Sequence, residues 1–458
     1  MQSPLSHPEF FKLFCAQSTA LIGTGLTTVA LTLLAYRISP TGAGTLLGTV
    51  LAIKMTAYVF FAPIVGGLAH NFNRKFLMVS LDLLRASVVF AMPFVTETWQ
   101  VFVLIFFLSI CTAGFNPVFQ STIPDLLEDE RDYILALSYS RFAYDLEALL
   151  SPMLAALLLL VVTFDLLFML NGLAFLVSAS LVVMARLPGR EPVDRLGGLV
   201  SQITFGLRSY MKTPRLRGML ALYVGVAFAG AMVMVNSVVY IRVHLGGSEP
   251  QVALALGAAG LGSMMAAVWV PRLLKDRTDR LVMLLGTVLM SPMLFALAMT
   301  PSLPFLVILW LVVGFGWSLV QTPAGRVVNR SSAIADRDAY YSAQFALTHL
   351  CWLVAYPVVG YLGEYAGIET TGLLVGAIVL GAAVLGYRLW PDPDPTALTH
   401  THEANSHSHA HKHDEHHQGD HASDGHHLRD CADHEHQHNP ITHSHVFVID
   451  DHHPSWPR

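Results

Sequence analysis

Twelve predominantly apolar stretches, each of roughly 20 residues or more, recur along the chain and restrict it to one solvent, the lipid bilayer. They run approximately over 10–36, 44–69, 76–95, 101–122, 134–162, 166–186, 216–243, 251–274, 281–299, 304–325, 340–363 and 369–390. At 1.5 Å of rise per residue, about 20 helical residues cross a hydrocarbon core of ~30 Å, so each stretch is long enough to span. A β-barrel would need alternating strands of about ten residues, which this pattern lacks. Only 13% of the residues are charged, against roughly 25% in soluble domains.

Charge divides the chain into two physically different parts. Residues 1–390 hold 24 Lys and Arg against 20 Asp and Glu, whereas residues 391–458 hold 3 against 12. With the amino terminus in the cytoplasm, 19 basic residues fall on inner segments, and only Arg37 and Arg242 fall outside. Cytoplasmic loops are enriched in Lys and Arg, so both termini are expected on that side of a bacterial inner membrane. Met1–Pro8 is polar and the first apolar run is too long for a signal peptide, so that run is read as a retained anchor. Cys15, Cys111, Cys351 and Cys431 show no paired spacing and suggest neither disulfides nor a thiolate site.

The chain also repeats itself. Pro8 precedes the first apolar segment as Pro214 precedes the seventh. Asn73-Arg74-Lys75-Phe76-Leu77-Met78 corresponds to Thr278-Asp279-Arg280-Leu281-Val282-Met283, and Arg131-Asp132 to Arg337-Asp338. All three matches share an offset of 205 or 206 residues. The expectation is an all-α membrane protein of twelve transmembrane helices: a six-helix half (1–186), a cytoplasmic linker (187–215), a second six-helix half (216–390) and a disordered tail (391–458). Parallel six-helix repeats are the mark of the major facilitator architecture.

Ala62-Pro63-Ile64-Val65-Gly66-Gly67-Leu68-Ala69-His70-Asn71-Phe72-Asn73-Arg74-Lys75 resembles the loop motif of the major facilitator superfamily, and Asp82-Leu83-Leu84-Arg85 resembles its exporter branch. The resemblance covers residues 8–390 and implies a gate built from His70, Arg74, Asp82, Arg85 and Arg141. His70 stands where the family usually has an acidic residue, which makes the strength of that gate depend on pH. With its histidine-rich tail, the chain is similar to bacterial nickel-resistance exporters.

The tail carries 18 of the chain's 22 histidines. They are His400, His402, His407, His409, His411, His413, His416, His417, His421, His426, His427, His434, His436, His438, His443, His445, His452 and His453. Neutral imidazole suits Ni, Cu, Zn and Co, and close spacing raises the effective concentration of a second ligand once the first has bound. Cu(I) would want Cys and Met, and the tail has one Cys and no Met. A tail holding Ni2+, or Zn2+ or Co2+, is the expectation, with nickel put first by the resemblance. Low apolar content and net negative charge argue against a packed core there.

A charge near the bilayer centre costs about 2.5–3.5 kcal/mol on insertion scales, so each one is a functional candidate. Lys54, Asp145, Glu147 and His349 all fall near midplane in their segments. Asp145, Glu147 and His349 could bind metal or protons in exchange, with Lys54 as the internal cation that occupies the carboxylates when the site is empty. The alternative is a structural network, Lys54 with Asp145 or Glu147 and Arg141 with Asp145 at i,i+4. No catalytic constellation and no phosphate-binding Gly-Lys-Ser/Thr loop is present, so neither an enzyme nor an ATP-driven pump is expected. The acidic tail gives no support for nucleic-acid binding. The partners expected are a divalent metal ion, protons and lipid, around a monomer with no transport cofactor. Two rivals remain: efflux of an organic compound or metallophore with the tail as a metal buffer, and a non-transporting, membrane-tethered metal buffer.

Overall fold

The structure, a computed structural model, describes residues 3–39, 42–189, 198–394, 397–402, 405–409, 434–438, 441–449 and 456. Nine of the tail histidines read as metal ligands (His411, His413, His416, His417, His421, His426, His427, His452 and His453) lie outside the described residues. So do linker residues 190–197.

The first half comprises α1 (Pro8–Ile38), α2 (Ala43–Leu68), α3 (Arg74–Ala91), α4 (Thr98–Leu126), α5 (Glu130–Leu158) and α6 (Phe164–Met184). A linker helix, α7 (Leu199–Lys212), leads to α8 (Pro214–Ala231), which continues through a π-helical turn (Met232–Asn236), α9 (Ser237–Val239) and a second π-helical turn (Tyr240–His244). Then follow α10 (Glu249–Asp276), α11 (Asp279–Phe295), α12 (Leu303–Gln321), α13 (Ala324–Asn329), α14 (Arg337–Tyr365) and α15 (Gly367–Leu389). Among the described residues, eleven helical spans are long and apolar enough to cross a membrane. The sequence predicts twelve. The remaining long helix, α5, carries Arg141, Asp145 and Glu147 in its membrane half, and those ionisable groups set it apart from its neighbours.

The internal repeat is a repeat of helix starts. Pro8 opens α1 and Pro214 opens α8, where a missing N–H costs nothing. Asn73 caps α3 by accepting from the Phe76 N–H at 3.2 Å, and its counterpart Thr278 caps α11 by accepting from the Leu281 N–H at 3.3 Å. Helix starts in each half are tied to the end of that half: Lys12 at the start of α1 donates to the Met184 carbonyl at 3.1 Å, and Arg280 at the start of α11 to the Trp390 carbonyl at 3.1 Å. The side of the bundle that bears these ends is called here the terminal face.

Small residues bring helices within backbone range, the usual means of helix association without a hydrophobic drive between helices. Gly262 of α10 packs on the Leu311 backbone of α12, and Gly314 of α12 on Ala259 of α10. Phe60, Phe107, Trp269, Leu285 and Val384 are large apolar side chains on the outer surface, as a lipid-facing belt requires.

The linker helix α7 lies against α2, α8 and α14. Gly206 touches the Ala339 carbonyl oxygen, and a Cβ on Gly67 would stand 2.6 Å from the Ile203 Cα. Gly206→Leu should therefore force α7 off the bundle, with an overpacking cost of about 1–3 kcal/mol. Thermal unfolding in detergent should show a lower midpoint than wild type, with Gly206→Ala less affected.

Pro393–Val448 forms a compact unit of its own, whereas Ile449–Trp456 belongs to the unit that contains Met1–Asp392. The Tyr340 hydroxyl of α14 donates to the Ile449 carbonyl at 2.8 Å, and the Arg215 guanidinium lies 5.2 Å over the Trp456 ring. Described tail residues form β1 (Ala397–His402), β2 (Asn405–His409), β3 (His434–His438) and β4 (Ile441–Val446), paired antiparallel as β1 with β4 and β2 with β3. Alternating Thr, Ser and His supply the period of two that a strand needs, without the apolar content of a core.

Candidate functional site

Two ionic latches join the halves at the terminal face. In the first, Arg74 at the start of α3 pairs with Asp125 near the end of α4 at 2.8 Å. Arg74 also lies 3.8 Å from Asp338 of α14. Arg337 of α14 pairs with the same Asp125, and Ser121 donates to Asp338. Arg74 and Asp125 are 8% and 7% exposed, so this cluster is screened little by salt. His70 occupies a 3-10 turn (Ala69–Asn71) and lines a cavity of about 340 Å³ together with Asn73, Arg74, Lys75 and Asp338.

The second latch carries the opposite polarity. Asp279 at the start of α11 pairs with Arg326 of α13 at 3.1 Å and lies 3.7 Å from Arg330. Arg326 also pairs with Glu130 at the start of α5, at 2.8 Å. The first half thus puts arginine at the start of its third helix and aspartate at the end of its fourth, and the second half puts aspartate at the start of its third span and arginine just after its fourth. Asp125, Ser121, Arg337, Asp338, Glu130 and Arg326 were missed as latch residues from sequence. The one available signal was the match of Arg131-Asp132 to Arg337-Asp338, at the two helix starts facing the opposite half.

Two predicted gate residues serve a single half. Asp82 and Arg85 form a buried i,i+3 pair on α3, and Ser178 of α6 donates to Asp82 at 2.8 Å. The Arg85 guanidinium sits 4.0 Å and 4.5 Å from the ring centres of Phe115 and Phe175, which makes it a clamp among α3, α4 and α6. Arg141 does cross between halves. It pairs with Asp145 at 2.5 Å and donates to Ser263 of α10 at 3.0 Å and to Gln321 of α12 at 2.9 Å. Ser263 in turn donates to Asp145 at 2.6 Å.

Deeper in the bundle, α2 and α14 bring together Lys54, Tyr58, Phe345 and His349. The Lys54 ammonium lies 5.8 Å over the Tyr58 ring, which stands edge-on to the His349 ring at 4.8 Å. Phe345 covers the other side of His349 at 4.1 Å. The His349 Nδ1–H donates to the Phe345 carbonyl at 2.7 Å, because a carbonyl can only accept, and Nε2 is left as the basic nitrogen. Glu147 and Ser151 both face α1 at Gly25, where an added side chain would strike the Glu147 carboxylate and the Ser151 hydroxyl.

Asp145 and Glu147 face different neighbours. Residues two apart on a helix project about 200° from one another, so Asp145 turns toward α10 and Glu147 toward α1. Among the described residues, no three His, Cys, Asp or Glu side chains gather closely enough to hold a metal ion. Asp145 of the expected trio thus sits with Arg141 and Ser263, His349 with Tyr58 and Phe345, and Glu147 against α1 at Gly25.

Residues 13–280 and 219–416 each match the Major Facilitator Superfamily pattern, and the two overlapping matches together cover both halves of the bundle. The chain belongs to the Major Facilitator Superfamily. Within it, Macrolide efflux protein A of Streptococcus pyogenes is 26% identical over 185 residues, which cover 39% of this chain and 45% of that protein. The chain thus spans less than half of that relative's length in the match. An uncharacterized transporter of the same superfamily from Bacillus subtilis (strain 168), YfiS, is 23% identical over 399 residues, covering 83% of this chain and 93% of the relative. The superfamily fold recurs in the human organic anion transporter MFSD10, with a TM-score of 0.73, 15% identity and coverage of 84% of this chain and 100% of that one.

Proposed function

We propose that the chain is a secondary exporter that moves a divalent transition metal, nickel first, out of the bacterial cytoplasm in exchange for protons. Both termini and the terminal face lie in the cytoplasm in this reading, and the protein works as a monomer. The observation that carries it is the tail, in which 18 histidines follow directly on the second half of a major facilitator bundle. The tail gathers metal on the loading side, and the bundle moves it. At the midplane, Lys54, Glu147 and His349 form the coupling site: proton and cargo compete for the carboxylate and for Nε2 of His349, and Lys54 neutralises the site between cycles. Protonation on the acidic side helps release, since imidazole and carboxylate bind metal only when deprotonated. The two halves rock about this site while the latches open and close the terminal face.

A second reading is efflux of an organic solute, with the tail as a metal buffer. It is favoured by the name of the macrolide efflux relatives, by the aromatic walls Tyr58 and Phe345, and by the divided carboxylates. Inverted membrane vesicles separate the two: proton-dependent accumulation of radioactive nickel is expected under the first reading and none under the second. Deleting residues 396–458 should lower metal tolerance of cells without abolishing nickel export from vesicles. A complete loss of export would make the tail part of the pathway. Full tolerance conferred by the tail alone would instead mark a membrane-tethered buffer.

A further inference from the structure

The outer surface of α15 carries a groove that helix packing does not account for. Ala377, Gly381, Val384, Leu385 and Arg388 recur at spacings of three and four along one face of the helix, and they line a groove of about 490 Å³. Phe295 of α11 closes its far end. Two other glycines of α15, Gly372 and Gly376, are spent on packing: a Cβ there would strike Leu297 or the Phe295 ring. Gly381 is different, because no atom stands within 4 Å of the place its Cβ would take. Glycine weakens a helix, and here it brings no second helix closer, so what it does is deepen the groove.

The groove is apolar along its length and cationic at its mouth. Val384 and Leu385 are half-exposed walls. Arg388 stands exposed at the terminal face, with no hydrogen bond or ion pair among the described residues. The neighbouring cation is already committed: Arg280 holds the Asp392 carboxylate and the carbonyls of Tyr387 and Trp390. The exposed Tyr387 ring, 4.6 Å from that guanidinium, marks the level of the lipid headgroups, where tyrosine collects. From Ala377 to Arg388 the helix rises about 16 Å. Half of a hydrocarbon core of ~30 Å is about 15 Å, so the groove is one leaflet deep.

We propose that this groove binds an anionic phospholipid from the leaflet at the terminal face, with one acyl chain lying along Gly381 and the phosphate held by Arg388. Basic residues where spans leave the bilayer select anionic headgroups, and Arg388 has its charge to offer. The apolar length selects a lipid over a free phosphate, which would make no use of it. An arginine that only snorkels to the interface would hold one lipid no better than another. None of the residues lining the groove belongs to the latches or to the midplane site, so the lipid is a partner separate from the cargo.

The test is photochemical and uses the full-length protein in phosphatidylcholine vesicles. A trace of phosphatidylglycerol with a diazirine midway along one chain is cross-linked by light, and phosphatidylcholine with the same chain serves as the comparison. Peptide mapping by mass spectrometry should find phosphatidylglycerol adducts on residues 377–385 at least fivefold above phosphatidylcholine adducts. Arg388→Gln should bring the two lipids to equality, and Arg388→Lys should keep most of the preference. Gly381→Phe fills space that no other atom occupies and should lower adducts from both lipids at least fivefold. Equal labelling by the two lipids in the unaltered protein would mark ordinary lipid contact and overturn the proposal. So would a preference that survives Arg388→Gln, or adducts undiminished by Gly381→Phe.

Discussion

Asp125→Ala should leave the terminal face open, because one carboxylate serves two arginines. Arg74 and Arg337 both pair with Asp125 in a nearly dry cluster, and Arg337 is brought there by the opposite half. Removing one partner of a buried ion pair costs about 3–5 kcal/mol, since the remaining charge stays out of water. At about 1.4 kcal/mol per tenfold, the balance between closed and open arrangements should move by two orders of magnitude or more. A reporter lies nearby: Ser342, 1% exposed, packs against Gly66 across the closed face. With the four native cysteines changed to serine, maleimide labelling of Ser342→Cys should accelerate at least tenfold in the Asp125→Ala background. Asp125→Glu should fall between the two. A labelling rate indifferent to Asp125 would mean that the latch does not hold the halves together.

The second large effect concerns coupling. Glu147→Gln keeps the shape of the side chain facing Gly25 but removes its proton site. Proton-driven accumulation in inverted vesicles should fall by more than tenfold, above about 1.4 kcal/mol of lost driving energy. Exchange of cargo at equal pH on both sides should persist. Asp145→Asn should behave differently, since its carboxylate is held by Arg141 and Ser263 and its loss would weaken the cross-half contact rather than the proton step. Undiminished proton-driven uptake by Glu147→Gln would remove this residue from the coupling site.

Much of the architecture was legible because its signals are local. Long apolar runs mark the spans, and the paired motifs at an offset of 205 or 206 residues proved to be helix starts, with Asn73 and Thr278 as caps. Arg74 stood out in the sequence through its motif. Asp125 was not: it belongs to a run of acidic residues with Glu128, Asp129 and Glu130, and only the end of α4 decides which of them faces Arg74. Asp145 and Glu147 looked like one site in sequence because they are two residues apart, and helical geometry sends them to different neighbours. The pairing of the tail strands was not legible, because low apolar content argues against a core but says nothing about a register between strands tens of residues apart.

The two π-helical turns of the α8 span have a mechanical consequence. Each holds one residue more than an α-helix of equal length would need. Returning either to α geometry would screw everything beyond it by about 100° and advance it by roughly 1.5 Å. At present Asn236 is braced by the Val359 carbonyl at 3.2 Å, and Ser237 by the Trp310 indole at 2.8 Å. The span is thus a wound spring with its catches on α12 and α14, and releasing those catches would turn Tyr240 and Arg242 to new bearings while the α8 stem stays seated.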